Sequence, residues 1–143
     1  MKLSSRGHYG LRALAHLAQK GSHQPVPLRQ IAQSEQIPEA FLEQIFLDLR
    51  KAGIVKSIRG AKGGYKLASP PKDIIVGNIV RVLEGSFNII DCLEDEDGNC
   101  CTKTEDCTTK IVWEKVRDSM AMVLDGMNLA DLSKSGKGLI DSL

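Results

Sequence analysis

Apolar positions recur at helical spacing over residues 8–20, where Leu11, Leu14, Ala15 and Ala18 share one face. Gly21 ends that predicted helix, and Pro25 and Pro27 hold the next residues extended. A short helix over 28–34 follows, with Leu28, Ile31 and Ala32 inward. Pro38 then stands in the first turn of a longer helix, where its missing N–H costs nothing. This helix runs to Gly53 and is expected to turn Phe41, Leu42, Ile45, Phe46 and Leu49 inward. The period then changes: residues 54–58 alternate as a strand, 59–64 form a basic glycine-rich tip, and 65–67 return as a second strand. Two helices a few residues apart, the second longer and followed by a hairpin, predict a winged helix-turn-helix.

Pro70 and Pro71 close this unit, and residues 74–83 predict a further helix with Ile75, Ile79, Val82 and Leu83 on its apolar face, ending at Gly85. Residues 91–110 show no periodicity and are rich in Cys, Asp, Glu, Gly and Thr, which predicts a loop. A long amphipathic helix starts at Thr109 and runs to about Asp125, with Val112, Val116, Met120, Val123 and Met127 on one stripe. Such a stripe packs on its own domain or zips against a second copy, and two-fold symmetry suits a reader of paired half-sites. The expected fold is mainly α with a small β-hairpin wing. Its parts are a winged helix-turn-helix domain over 1–72, a connecting helix over 73–90, a cysteine-rich loop over 91–108, a dimerisation helix over 109–132 and a flexible tail over 133–143.

Composition limits the core and the compartment. A chain of 143 residues, 42% apolar and 4% aromatic, can bury one modest core. No apolar run approaches the ~20 residues of a bilayer-spanning helix, and the N-terminus lacks the apolar stretch of a signal peptide. A cytoplasmic chain with reduced thiols and no membrane partner is therefore expected. Charge is segregated: residues 1–72 carry 12 Lys/Arg against 4 Asp/Glu, and residues 73–143 carry 7 against 14. The basic half attracts a polyanion by neutralising phosphates, and the acidic half is repelled from one.

Within the basic half, Glu43 and Gln44 lie near the start of the longer helix. Gln can pair bidentately with adenine, and Glu can accept from the cytosine amino group. Arg29, Arg50, Arg59 and Lys62 are candidates for phosphate or minor-groove contact, and Gly60 and Gly63 let the tip approach a groove. Solvated surface charge is the plainer account of each alone. The acidic half holds all four cysteines, Cys92, Cys100, Cys101 and Cys107, in one polar segment. Soft ligands converging from one loop suit an iron–sulfur cluster or a structural zinc site. Burial as small apolar residues fits an acidic loop poorly, and the acidic neighbours disfavour a reactive thiolate. No nucleophile triad or phosphate loop occurs at catalytic spacing, so an enzyme is not expected.

The opening Met1-Lys2-Leu3-Ser4-Ser5-Arg6-Gly7-His8-Tyr9-Gly10 resembles the IscR-type family of winged helix-turn-helix regulators. So do Phe41-Leu42-Glu43-Gln44, Leu49-Arg50-Lys51-Ala52-Gly53-Ile54-Val55, Ile58-Arg59-Gly60-Ala61-Lys62-Gly63-Gly64-Tyr65 and the stretch 79–84. The resemblance covers nearly the whole chain, and the wing is its most specific part. It implies a homodimeric repressor that binds a palindromic operator in double-stranded DNA and senses iron–sulfur status through a 2Fe-2S cluster, acting on iron–sulfur biogenesis genes. It also implies the ligands: Cys92, Cys101 and Cys107, with a fourth that varies among members. The best-known members place a His three residues after the last Cys, where this chain has Lys110, whose protonated amine cannot ligate. Other members take the fourth ligand from the partner's N-terminal helix, at the position held here by His8; Cys100 is the alternative. Related possibilities are a nitric-oxide-sensing 4Fe-4S regulator, and a zinc, thiol or partner-enzyme regulator of cysteine metabolism. A winged-helix protein-interaction module is the rival outside DNA binding, and the basic half argues against it.

Overall fold

The structure is a computed structural model that describes residues 3–20, 24–87 and 108–133. Helix α1, Ser5–Gln19, buries Ala13, Leu14 and Leu17. It begins three residues before the apolar period does, because its cap comes from far along the chain. Glu84 Oε1 accepts hydrogen bonds from the Ser4 N–H at 3.0 Å, the Gly7 N–H at 2.9 Å and the Ser4 hydroxyl. A carboxylate there satisfies helix-end N–H groups and meets the positive end of the helix dipole.

Helix α2, Leu28–Glu35, and helix α3, Glu39–Lys51, are joined by a tight turn in which Gln36 takes the left-handed conformation (φ 56°). The Ile37 N–H then donates to the Ala32 carbonyl at 3.0 Å, tying the turn to the end of α2. Leu42, Ile45, Phe46 and Leu49 on α3 are fully buried, as their spacing predicts. Phe41 is the exception: it was expected inward but is 37% exposed, its ring edge-on to Tyr9 at 5.6 Å. Position 41 lies at the margin of the apolar stripe, where it meets α1 instead of the core.

Strands β1, Val55–Ile58, and β2, Gly64–Leu67, pair antiparallel with Val55 opposite Leu67 and Ile58 opposite Gly64. The stretch held extended by its prolines joins them: Val26 and Tyr65 exchange N–H···O bonds of 2.9 and 2.8 Å. Pro71–Asp73 form one 3-10 turn, so helix α4, Val76–Glu84, starts two residues later than its apolar pattern suggests.

Helix α5, Lys110–Asp125, has no buried residue, unlike α1 to α4. It stops at Gly126, and a separate short helix α6, Leu129–Ser133, follows. The single helix expected over 109–132 is therefore two. Asn128 and Asp131 form a reciprocal capping pair, Asn128 N–H to Asp131 Oδ2 at 2.9 Å and Asp131 N–H to Asn128 Oδ1 at 3.0 Å, which starts the new helix. Met127 lies outside α5 and off its stripe; its carbonyl accepts the Val76 N–H at 2.9 Å. Leu129 is fully buried in the same core as Leu14, Ile31, Phe46 and Ile79. The chain after α5 thus returns to the winged-helix core and leaves α5 on the outside.

Candidate nucleic-acid interface

Burying one side of α3 turns the other outward. Glu43, Gln44 and Arg50 are all exposed, and Arg29 is exposed in the first turn of α2. The hairpin tip exposes Arg59, Gly60 and Lys62. Its shape depends on glycine at two positions in particular. A Cβ on Gly63 would overlap the Ile58 carbonyl, and Gly63 N–H closes the tip onto the Gly60 carbonyl at 3.0 Å. Gly64 has φ 150° and lies so close to the Val26 and Pro27 backbone that no side chain fits. The wing is also seated from below, where Tyr65 packs edge-on against Phe46 of α3 at 4.9 Å. Of the residues expected to face DNA, Gly63 is buried and shapes the tip, while the rest are exposed.

Several contributors gave no signal in the sequence. Arg6 pairs with Asp48, linking α1 to α3, and Arg12 lies 5.8 Å from the Tyr9 ring beside Phe41. His16 is buried. Its Nδ1 lies 3.1 Å from Glu35 Oε1, while its Nε2 is buried with no hydrogen-bond partner among the described residues. Arg12 also donates to the Glu35 carbonyl and lies 3.5 Å from its carboxylate, so Glu35 fixes α2 to α1 through two side chains. The burial phase of Ala13 and Leu17 could have flagged His16, but its partner across the turn could not be read from spacing.

Cys92, Cys100, Cys101 and Cys107 lie outside the described residues. Among the described residues no three His, Cys, Asp or Glu are grouped to hold a metal ion. His8 sits in the first turns of α1 with an exposed imidazole, its ring 5.9 Å from that of Tyr9. Three thiolates and an imidazole, if brought together, would make a donor set that suits an iron–sulfur cluster and also suits zinc. On α5, Ile111, Val112, Met122 and Val123 are each more than half exposed.

At the base of α5, Arg81 of α4 makes a two-pronged pair with Asp125, with both N–H···O distances 2.7 Å. These hydrogen bonds, with attraction between the opposite charges, hold the Asp125 carboxyl below its ordinary range and raise Arg81, against a smaller opposing effect of burial.

A helix-turn-helix whose second helix turns polar side chains outward, followed by a basic glycine-tipped hairpin, defines a winged helix-turn-helix nucleic-acid-binding protein. The comparisons agree. The family model Rrf2, described as an iron-dependent transcriptional regulator, matches residues 3–135. The chain belongs to the Rrf2 family of transcriptional regulators, and is thus a DNA-binding regulator and not an enzyme. It is 44% identical over 138 residues to the HTH-type transcriptional regulator CymR of Bacillus subtilis, covering 96% of this chain and 94% of that protein. It is 36% identical to IscR of Aliivibrio salmonicida, covering 92% and 77%. Among solved structures, T. potens IscR superposes with a TM-score of 0.78 at 44% identity, covering 96% of this chain and 89% of that one. No helix among the described residues is long and apolar enough to cross a membrane.

Proposed function

We propose that the chain is a homodimeric repressor in the cytoplasm, whose hold on a palindromic duplex operator is set by a 2Fe-2S cluster. The observation that carries this reading is α5. A family of DNA-binding regulators accounts for α3 and the wing, but a 16-residue helix with no buried residue and a row of exposed apolar side chains calls for a second copy. Two copies would present two α3 helices and two wings to successive half-sites. Glu43 and Gln44 would read base edges, and Arg29, Arg50, Arg59 and Lys62 would hold phosphates or enter the minor groove. Cys92, Cys101 and Cys107 would hold the cluster, with His8 of the other subunit as fourth ligand ahead of Cys100. When bound there, the cluster would supply a charged, redox-active centre. The operator would lie at genes for iron–sulfur biogenesis.

Anaerobic purification of the wild type and of the Cys92→Ala, Cys101→Ala and Cys107→Ala variants tests this. Each variant should lose the visible charge-transfer absorption yet remain a folded dimer by sedimentation; a full cluster in any of them would sink the ligand assignment. A second reading is favoured by the 44% identity to CymR, the global cysteine regulator of B. subtilis, whose solved structure is matched at 42% identity. In that reading the chain regulates cysteine metabolism without iron, and its colourless wild type would still bind duplex DNA.

A further inference from the structure

Arg81 holds two structures at once. Its guanidinium grips Asp125, the last residue of α5, and its carbon Cζ lies 4.5 Å from the centre of the Phe87 ring. Phe87 precedes Cys92 by a few residues in the sequence, so one side chain touches both the chain leading toward the cysteines and the end of the outer helix. The site is built for this. Gly77, one turn before Arg81 on α4, is buried, and a Cβ there would overlap the Asp125 carboxylate. Backbone bonds tie down the chain just beyond: Val76 N–H to the Met127 carbonyl at 2.9 Å, and Leu129 N–H to the Ile74 carbonyl at 3.0 Å. The far end of α5, Lys110, stands ~22 Å along the helix from Asp125 at 1.5 Å per residue.

Stability does not explain the arrangement. The pair is 39% and 42% exposed, and ion pairs so open to water contribute little. Its geometry is a better guide, because a planar guanidinium can stack on a ring with its face while its edge grips a carboxylate, which lysine cannot do. We propose that Arg81 is a positioning residue that joins the root of the cysteine segment to the base of α5, so that the state of the segment sets the angle at which α5 leaves the winged-helix core. A small change of angle at Asp125 is magnified at Lys110 and shifts whatever α5 carries.

The signalling part rests on the function proposed above, and two experiments on the full-length chain separate the two ideas. In the first, amide exchange of Gly126 and Met127 is followed in Phe87→Ala, Asp125→Asn and the double variant. Each single change should speed exchange several-fold, and the double should exchange no faster than the faster single, since both act through Arg81. Independent, multiplying effects would overturn the joint. In the second, dissociation constants are measured for a duplex selected by the protein from a randomised pool. Wild type and Cys92→Ala, the permanently unloaded form, are compared in the Arg81 background and again with R81Q. The loaded-to-unloaded affinity ratio should collapse toward one with R81Q, while the unloaded protein's own affinity stays unchanged. R81K should behave like R81Q. A ratio that survives R81Q overturns the Arg81 assignment alone, whereas a wild-type ratio of one removes the proposed cluster control, and with it any signal for Arg81 to carry.

Discussion

Neutralising the wing should change the salt dependence of DNA binding by a calculable amount. Arg29, Arg50, Arg59 and Lys62 are exposed on α2, α3 and the hairpin tip, so a dimer brings about eight such cations to DNA. Each phosphate neutralised contributes ~0.9 to the slope of log affinity against log salt, giving a slope of about −7. Raising salt fourfold, from about 50 to 200 mM, should then weaken binding by roughly four decades. Replacing both Arg59 and Lys62 by alanine removes about half of these contacts and should bring the slope to about −3.6. Fluorescence anisotropy of a labelled duplex at four or five salt concentrations measures both slopes. A double variant whose slope matches the parent would refute the placement of the wing on the phosphate backbone.

Leu129→Ala should cost about 2–5 kcal/mol in urea unfolding, since the residue is fully buried and the core cannot fully close behind it. A loss under about 1 kcal/mol would show that α6 does not anchor the C-terminal return. Gln44→Ala should cost ~1–3 kcal/mol on a selected duplex and almost nothing on random DNA, as expected of a base reader; equal losses on both would make it a backbone contact. Gly64→Ala should lower DNA affinity while the helical circular dichroism stays near wild type, because the overlap with Val26 displaces the hairpin and not the three-helix core. The Asp125 carboxyl is held below its ordinary range, so the bond to Arg81 contributes fully above that range and is lost as pH falls through the lowered value. Exchange at Gly126 should therefore speed up in wild type as pH falls below the ordinary carboxylate range and through the lowered Asp125 value, and be insensitive to pH there, after correction for intrinsic rates, in Asp125→Asn.

The parts legible in the sequence are those set by neighbours in the chain. Pro38, Gly53 and the spacing of Leu42, Ile45, Phe46 and Leu49 marked α3, and the shift to alternation followed by Gly60, Gly63 and Gly64 marked the wing. What escaped depends on partners far along the chain. Glu84 starts α1 from 80 residues away, Val26 adds a bridge to β2, and Leu129 returns to the core beyond an exposed helix. Local period has no access to such contacts, and it misplaced Phe41 because a residue at the edge of a stripe is assigned by its neighbour and not by its phase. The exposure of Glu43, Gln44 and Arg50 was recoverable because exposure opposite a buried stripe is itself periodic. The joint at Arg81 was not, because an arginine between two apolar residues of a helix looks like any solvated charge.

The central claim is that Cys92, Cys101 and Cys107 hold a cluster that the regulator carries. Anaerobic purification followed by iron, sulfide and zinc quantification with an absorption spectrum tests it most directly. About two iron and two sulfide per chain, with visible charge-transfer bands, is the expected result. Four of each would favour the 4Fe-4S alternative, and zinc alone or a metal-free colourless protein would contradict the claim.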